Sequence, residues 1–218
     1  MIKRIFALMT ACVLLFACAG CSGDSGSTAE HEQQVNPTAE GTADKPSAEP
    51  EEDISYGNVL IVYFSNSGNT HALTEMITAE FAAETLRLVP AEPYEWATLF
   101  DRAQDELNDG IRPELTGLPE ADVIAQYDTI LLGFPIWWYD LPMPVWTFLE
   151  AYDLSGKTII PYFTHNGSSN GAASLDTIET LCPDSTVMSD DALSLWGDRV
   201  ADSADEVKEW LSGLGLTK

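Results

Sequence analysis

In the stretch NVLIVYFSNSGNTHALTEM, residues 58–76, a run suited to a buried strand gives way to small polar residues and then to a helical pattern. Val59, Leu60, Ile61, Val62, Tyr63 and Phe64 are continuously apolar. Strands of a parallel sheet, covered on both faces, have this composition, whereas a half-exposed strand would alternate. Leu73, Met76, Ile77 and Phe81 then recur near helical spacing. Between the two lie Ser65, Asn66, Ser67, Gly68, Asn69 and Thr70. Such a loop can wrap a phosphate with hydroxyls, a side-chain amide and backbone N–H groups, while the following helix points its positive end inward. The same residue types also suit an ordinary strand-to-helix turn rich in capping groups. This loop is not a Walker loop, because it contains no Gly-Lys-Ser or Gly-Lys-Thr, and the GxGxxG dinucleotide fingerprint is absent from the chain.

Outward from this stretch the alternation continues. Residues 85–89 read as a second strand closed by Pro90, and residues 95–107 as mostly helical. A third strand is expected over residues 128–134, followed by an aromatic loop and a helix near Pro144 to Ala151. Residues 158–163 form a fourth strand in which Pro161, having no N–H, fits a ladder poorly. A helix over residues 172–181, a fifth strand within 185–196 and a last helix over 203–212 complete the chain. Strands alternating with helices predict an α/β protein with three layers, helices covering a doubly wound, five-stranded parallel sheet of order 2-1-3-4-5. Three polar segments, residues 65–70, 135–141 and 164–171, follow strands one, three and four. All fall at carboxyl ends of strands, where sheets of this kind bind ligands.

The first residues form a separate segment. Residues 1–21 have Lys3 and Arg4 at the start, an apolar run from Ile5 to Phe16 and small residues ending at Cys18 and Cys21, the pattern of an export signal. The apolar run is shorter than the roughly 20 residues a spanning helix needs. Leu15-Phe16-Ala17-Cys18 resembles the lipobox of bacterial lipoproteins, which implies lipidation of Cys18, with Cys21 as the alternative and an ordinary secretory signal as the plainer reading. The expected location is the outer face of the bacterial cytoplasmic membrane, reached through the lipid anchor only. Residues 22–53 are Ala, Glu, Gly, Ser, Thr and Pro with almost no large apolar side chain, the composition of an acidic disordered linker. Residues 54–218 have the length of one ordinary domain.

The formal net charge of −25 argues against nucleic acid, whose phosphates would repel the chain, and favours a partner with a basic docking face. Cys182 is the lone cysteine of the domain, so no disulfide can form within it, and its expected role is a small buried apolar residue. His31, His71 and His165 are dispersed, and the cysteines have no metal-ligand spacing.

Ser65-Asn66-Ser67-Gly68-Asn69-Thr70 resembles the phosphate loop of flavodoxins. Gly133-Phe134-Pro135-Ile136-Trp137-Trp138, Leu141-Pro142-Met143-Pro144, Phe148-Leu149-Glu150 and Ser155-Gly156-Lys157 extend the resemblance to a flavodoxin-like family common in anaerobic bacteria, over about residues 58–216. The resemblance implies FMN with its 5′-phosphate on Ser65 through Thr70 and its ring lined by Pro135, Ile136, Trp137 and Trp138. Thr164, His165, Asn166 and Gly167 would bond the pyrimidine edge, Asn166 standing where the family usually has glycine. A protonated His165 near N1 and O2 would attract the charge of the reduced flavin. The implied function is electron carriage between redox partners. The Trp-Trp loop also resembles that of FMN quinone reductases, so reduction of a quinone or another small molecule is an alternative. A surface lipoprotein that binds flavin without catalysis is a third.

Overall fold

The computed structural model describes residues 55–217. The expected signal, the lipidation sites Cys18 and Cys21 and the whole linker lie outside the described residues. Among the described residues no helix is long and apolar enough to cross a membrane.

Strand β1 (Val59–Tyr63) leads into helix α1 (Asn69–Glu80), and β2 (Glu84–Arg87) returns beside it. A short β3 (Val89–Pro90) pairs antiparallel with β4 (Leu115–Thr116), on either side of α2 (Leu99–Asp109). After a single turn, α3 (Ala121–Ile124), come β5 (Thr129–Pro135), α4 (Met143–Ala151), β6 (Thr158–His165) and α5 (Ala172–Leu181). Strands β7 (Thr186–Val187) and β8 (Leu193–Trp196) and helix α6 (Ala204–Gly213) end the fold.

The main sheet is parallel throughout, in the order β2-β1-β5-β6, with β7 and β8 both on the outer side of β6. It occupies the five positions of the 2-1-3-4-5 order, the last filled by two short segments. This interruption explains Pro161. Carbonyls of Lys157, just before β6, and of Ile159 and His165 on it accept from Thr186 of β7 and from Met188 and Gly197, the residues after β7 and β8. Backbone groups alternate sides along a strand, so residue 161 also faces that edge. There the ladder stops after Ile159↔Val187 and resumes at Tyr162↔Leu193. The proline has no N–H to waste because no strand lies opposite it.

The central strands β1, β5 and β6 are buried along nearly their whole length, whereas the edge segment β8 alternates buried and exposed. Alternate residues feed two cores. Leu60, Val62, Ile130, Leu132, Ile159 and Phe163 meet Val145, Phe148 and Ile178 of α4 and α5 on one face. Ile61, Leu131, Ile160 and Tyr162 meet Leu73, Ile77, Val207 and Leu211 of α1 and α6 on the other. Each such aliphatic or aromatic side chain contributes about 1.5–3 kcal/mol on full burial. Cys182 belongs to the first core, and burial pushes its thiol up to about 11.

The expected helix over residues 95–107 starts later, at Leu99, so Trp96 lies in a loop before it. The expected second strand ends at Arg87, and Val89 instead starts the two-stranded ribbon.

Candidate functional site

Because every main strand runs the same way, the loops after β1, β5, β6 and β8 meet at one edge, and backbone bonds lace them together. Phe64 N–H donates to Gly133 O at 2.9 Å, Ile136 N–H to Thr164 O at 2.9 Å, and Gly197 N–H to His165 O at 2.8 Å. The threonine hydroxyls of residues 70 and 164 bond each other at 2.9 Å, tying the start of α1 to the end of β6.

The first loop has the features of an anion cradle. Gly68 precedes α1 with φ 98°, a conformation that side chains disfavour, and no side chain caps the helix. The first amides of α1 therefore retain their capacity to bind an anion. Ser65 is 5% exposed, and its hydroxyl is buried without a partner. A buried hydroxyl left unbonded costs about 1–3 kcal/mol, so an acceptor brought to it would gain that much. Arg87 donates to the Ser65 carbonyl at 3.2 Å and brings a positive charge to the loop.

In front of the cradle opens a crevice of about 390 Å³ lined by Asn66, Ser67, Asn69, Pro135, Ile136, Trp137, Thr164, His165 and Asn166. Its volume is in the range of small-molecule sites. Trp96, Leu99, Phe100, Trp196, Gly197 and Asp198 complete it. The latter group was missed in the sequence. Trp196 and Gly197 follow the last strand, so the carboxyl-end rule extended to the fifth strand would have found them. Trp96 was hidden inside an expected helix.

Of the expected site residues, Ser65 and Thr70 are buried and do not line the crevice. Gly68 and Gly167 supply backbone geometry: Gly167 has φ 85°, and an added Cβ would fall 2.0 Å from the Trp196 ring. Trp138 does not line this crevice. It lines an adjoining cavity of about 200 Å³ with Phe100, Trp137, Tyr139, Asn166 and Ser168, and no charged residue borders it. The Trp138 indole N–H donates to the Phe100 carbonyl at 3.0 Å, joining the loop after β5 to α2.

That loop turns tightly. Trp137 and Asp140 exchange two backbone bonds, of 3.0 and 2.9 Å, around Trp138 (φ 47°) and Tyr139 (φ 69°). Positive φ at both central positions marks a type I′ turn, normally built from Asn and Gly. At its foot, Asp140 accepts from Leu141 N–H at 2.7 Å and from the Thr177 hydroxyl at 3.1 Å. Burial raises its carboxyl above the usual range, against the opposing pull of those two bonds.

His165 differs from the expected protonated group. Its Nδ1 accepts the Gly167 N–H at 2.9 Å, which places the neutral ring's proton on Nε2, and burial lowers its pKa below the usual imidazole value. Its ring lies 5.3 Å from that of Trp196. Asn166 adopts no left-handed backbone. Its Oδ1 accepts from the Ser168 N–H and hydroxyl, at 3.2 and 2.7 Å, so asparagine here fixes the loop by its side chain.

An open α/β sheet with a helix-capped anion cradle and an aromatic crevice at its carboxyl edge defines the flavodoxin-like class of fold. The model of the flavodoxin family matches residues 58–214, and the chain belongs to that family. Among solved structures, a protein of Bacteroides uniformis described as a flavoprotein is 30% identical, with a TM-score of 0.61, covering 72% of this chain and 99% of its own. A similarly described protein of Bacteroides eggerthii is 28% identical, with a TM-score of 0.61 and coverage of 73% and 99%. A flavoprotein of Lactobacillus acidophilus, solved in complex with FMN, is 22% identical, with a TM-score of 0.52 and coverage of 67% and 97%. No curated protein matches.

Proposed function

We propose that the protein binds FMN and carries electrons between redox partners. The observation that carries this reading is the uncapped start of α1, where Asn69 borders an aromatic crevice, together with the buried, unpartnered Ser65 hydroxyl in the loop that leads into it. Ser65, Ser67, Asn69 and the α1 amides would hold the phosphate, while Trp137 offers a rigid wall to a flat ring. Thr164, His165 and Asn166 supply polar groups opposite. FMN, when bound, supplies one- and two-electron chemistry, and the protein supplies position and electrostatics. The descriptions of the two Bacteroides proteins as flavoproteins support a flavin, and the Lactobacillus flavoprotein was solved with FMN.

The net charge of −25 supports a partner with a basic docking face. The Leu15-Phe16-Ala17-Cys18 pattern supports export and lipid attachment at the outer face of the cytoplasmic membrane. The uncharged aromatic cavity beside the crevice favours a second reading, reduction of a flat neutral acceptor such as a quinone.

The test is binding of FMN against riboflavin by the purified protein. Two charge-assisted bonds to phosphate, at about 1.5 kcal/mol or more each, make FMN at least about a hundredfold tighter. Equal affinities, or no flavin uptake, would refute the reading. Bleaching of the yellow protein by NADH alone would select the reductase over the carrier.

A further inference from the structure

Trp137 lines both cavities, and its indole is set by more than its own loop. It packs edge to face on Phe64, with ring centroids 5.2 Å apart, and on Tyr94, at 5.0 Å. Tyr94 is buried in the segment between β3 and α2, and its hydroxyl donates to Glu106 Oε2 at 2.5 Å. Arg102 Nε donates to Glu106 Oε1 at 2.8 Å, and its guanidinium carbon sits 4.1 Å from the Tyr94 ring centroid. Arg102 Nη1 also donates to the carbonyls of Glu92 and Pro93, at 3.2 and 3.1 Å. The three side chains thus close a ring of contacts behind the wall.

We propose that Tyr94, Glu106 and Arg102 form a positioning clamp that fixes the tilt of Trp137 and so shapes the crevice for a stacked aromatic ring. This rests on the flavin reading above. Stability alone is a poor account of the cluster. Glu106 is 5% exposed in a chain of net charge −25, and an apolar set of equal volume commonly serves a core as well as a buried ion pair does. What the polar set adds is direction. A phenol bonded at its tip and covered on one face by a planar cation can neither slide nor rotate freely, and the indole packed on its edge inherits that restriction. Burial, reinforced by the bond to Glu106, raises the Tyr94 hydroxyl well above the usual phenol range, so the phenol remains a donor. Arg102 and Glu106 stand one turn apart on α2, and Phe100, on the crevice rim, belongs to the same helix. The clamp therefore sets wall and rim from one element.

The experiment measures FMN affinity for Tyr94→Phe in the unaltered background and in a Trp137→Ala background. It also follows the Trp137 indole N–H resonance before FMN is added. Tyr94→Phe keeps the ring and removes only its bond, so it should fold. The expected results are an affinity about tenfold lower in the unaltered background, a shifted or broadened Trp137 resonance, and a change below about twofold when Trp137 is already absent. Glu106→Gln, which keeps an acceptor, should fall between the parent and Tyr94→Phe. Equal losses in both backgrounds, no loss in either, or an unmoved Trp137 resonance would overturn the clamp. If the parent protein takes up no FMN while the resonance still responds to Tyr94→Phe, the flavin reading fails and the clamp stands.

Discussion

The imidazole of His165 is poised to remain neutral. Its Nδ1 is occupied by the Gly167 N–H, and burial depresses its pKa below the ordinary 6.5. With the folded value lower than the unfolded one, the unfolded chain binds the extra proton first. The neutral ring thus contributes stability that is present above about pH 6.5 and lost as pH falls through the folded value. We expect the parent protein to lose more stability between pH 7.5 and pH 5 than His165→Gln, by urea denaturation. Parallel losses would show that the ring titrates as if free. The same geometry changes the expected electrostatics toward a reduced flavin. A charge effect of His165 belongs to acidic solution, and at pH 7 and above the residue acts through its ring and hydrogen bonds.

At the scale of elements, the turn at Trp138 and Tyr139 stands out because two aromatic residues occupy positions that favour Asn and Gly. Left-handed geometry costs a residue with a Cβ about 1–2 kcal/mol. Tyr139 is 59% exposed, so its side chain offsets little of that cost by burial. Tyr139→Gly should raise the stability of the protein by of order 1 kcal/mol, measured by urea denaturation, while opening the cavity that Tyr139 lines. A loss of stability would mean that the tyrosine ring itself holds the turn. How much could be read beforehand follows the same division. Strands β1, β5 and β6 were legible because burial on both faces leaves an unbroken apolar run, and their polar sequels exposed the loops at residues 65–70, 135–141 and 164–171. The broken fifth strand was not, since its two short pieces are too brief for a period. Pro161 was its trace, a residue unsuited to a ladder placed where the ladder stops. The turn was hidden too, because Trp-Trp-Tyr advertises packing rather than a reversal of the chain. The clamp behind Trp137 joins residues from a loop and a helix that no local pattern relates.

For the whole molecule, the acidic character of the chain and its amino-terminal pattern bear on where the protein works. If Cys18 is the lipidated residue, Cys18→Ser should release the protein from membranes almost completely. Fractionation of cells producing either form reads this directly, and stable attachment takes more than one acyl chain. Loss of attachment only with Cys21→Ser would move the anchor to that cysteine. The uniform direction of the strands adds a geometric consequence. Asn58 bonds Asp128 and Gln126 at the end where β1 and β5 begin, whereas the crevice opens where they finish. Whatever precedes Ser55 therefore joins the domain at the pole opposite the mouth of the crevice. The described chain thus enters the sheet at one pole and presents its crevice at the other.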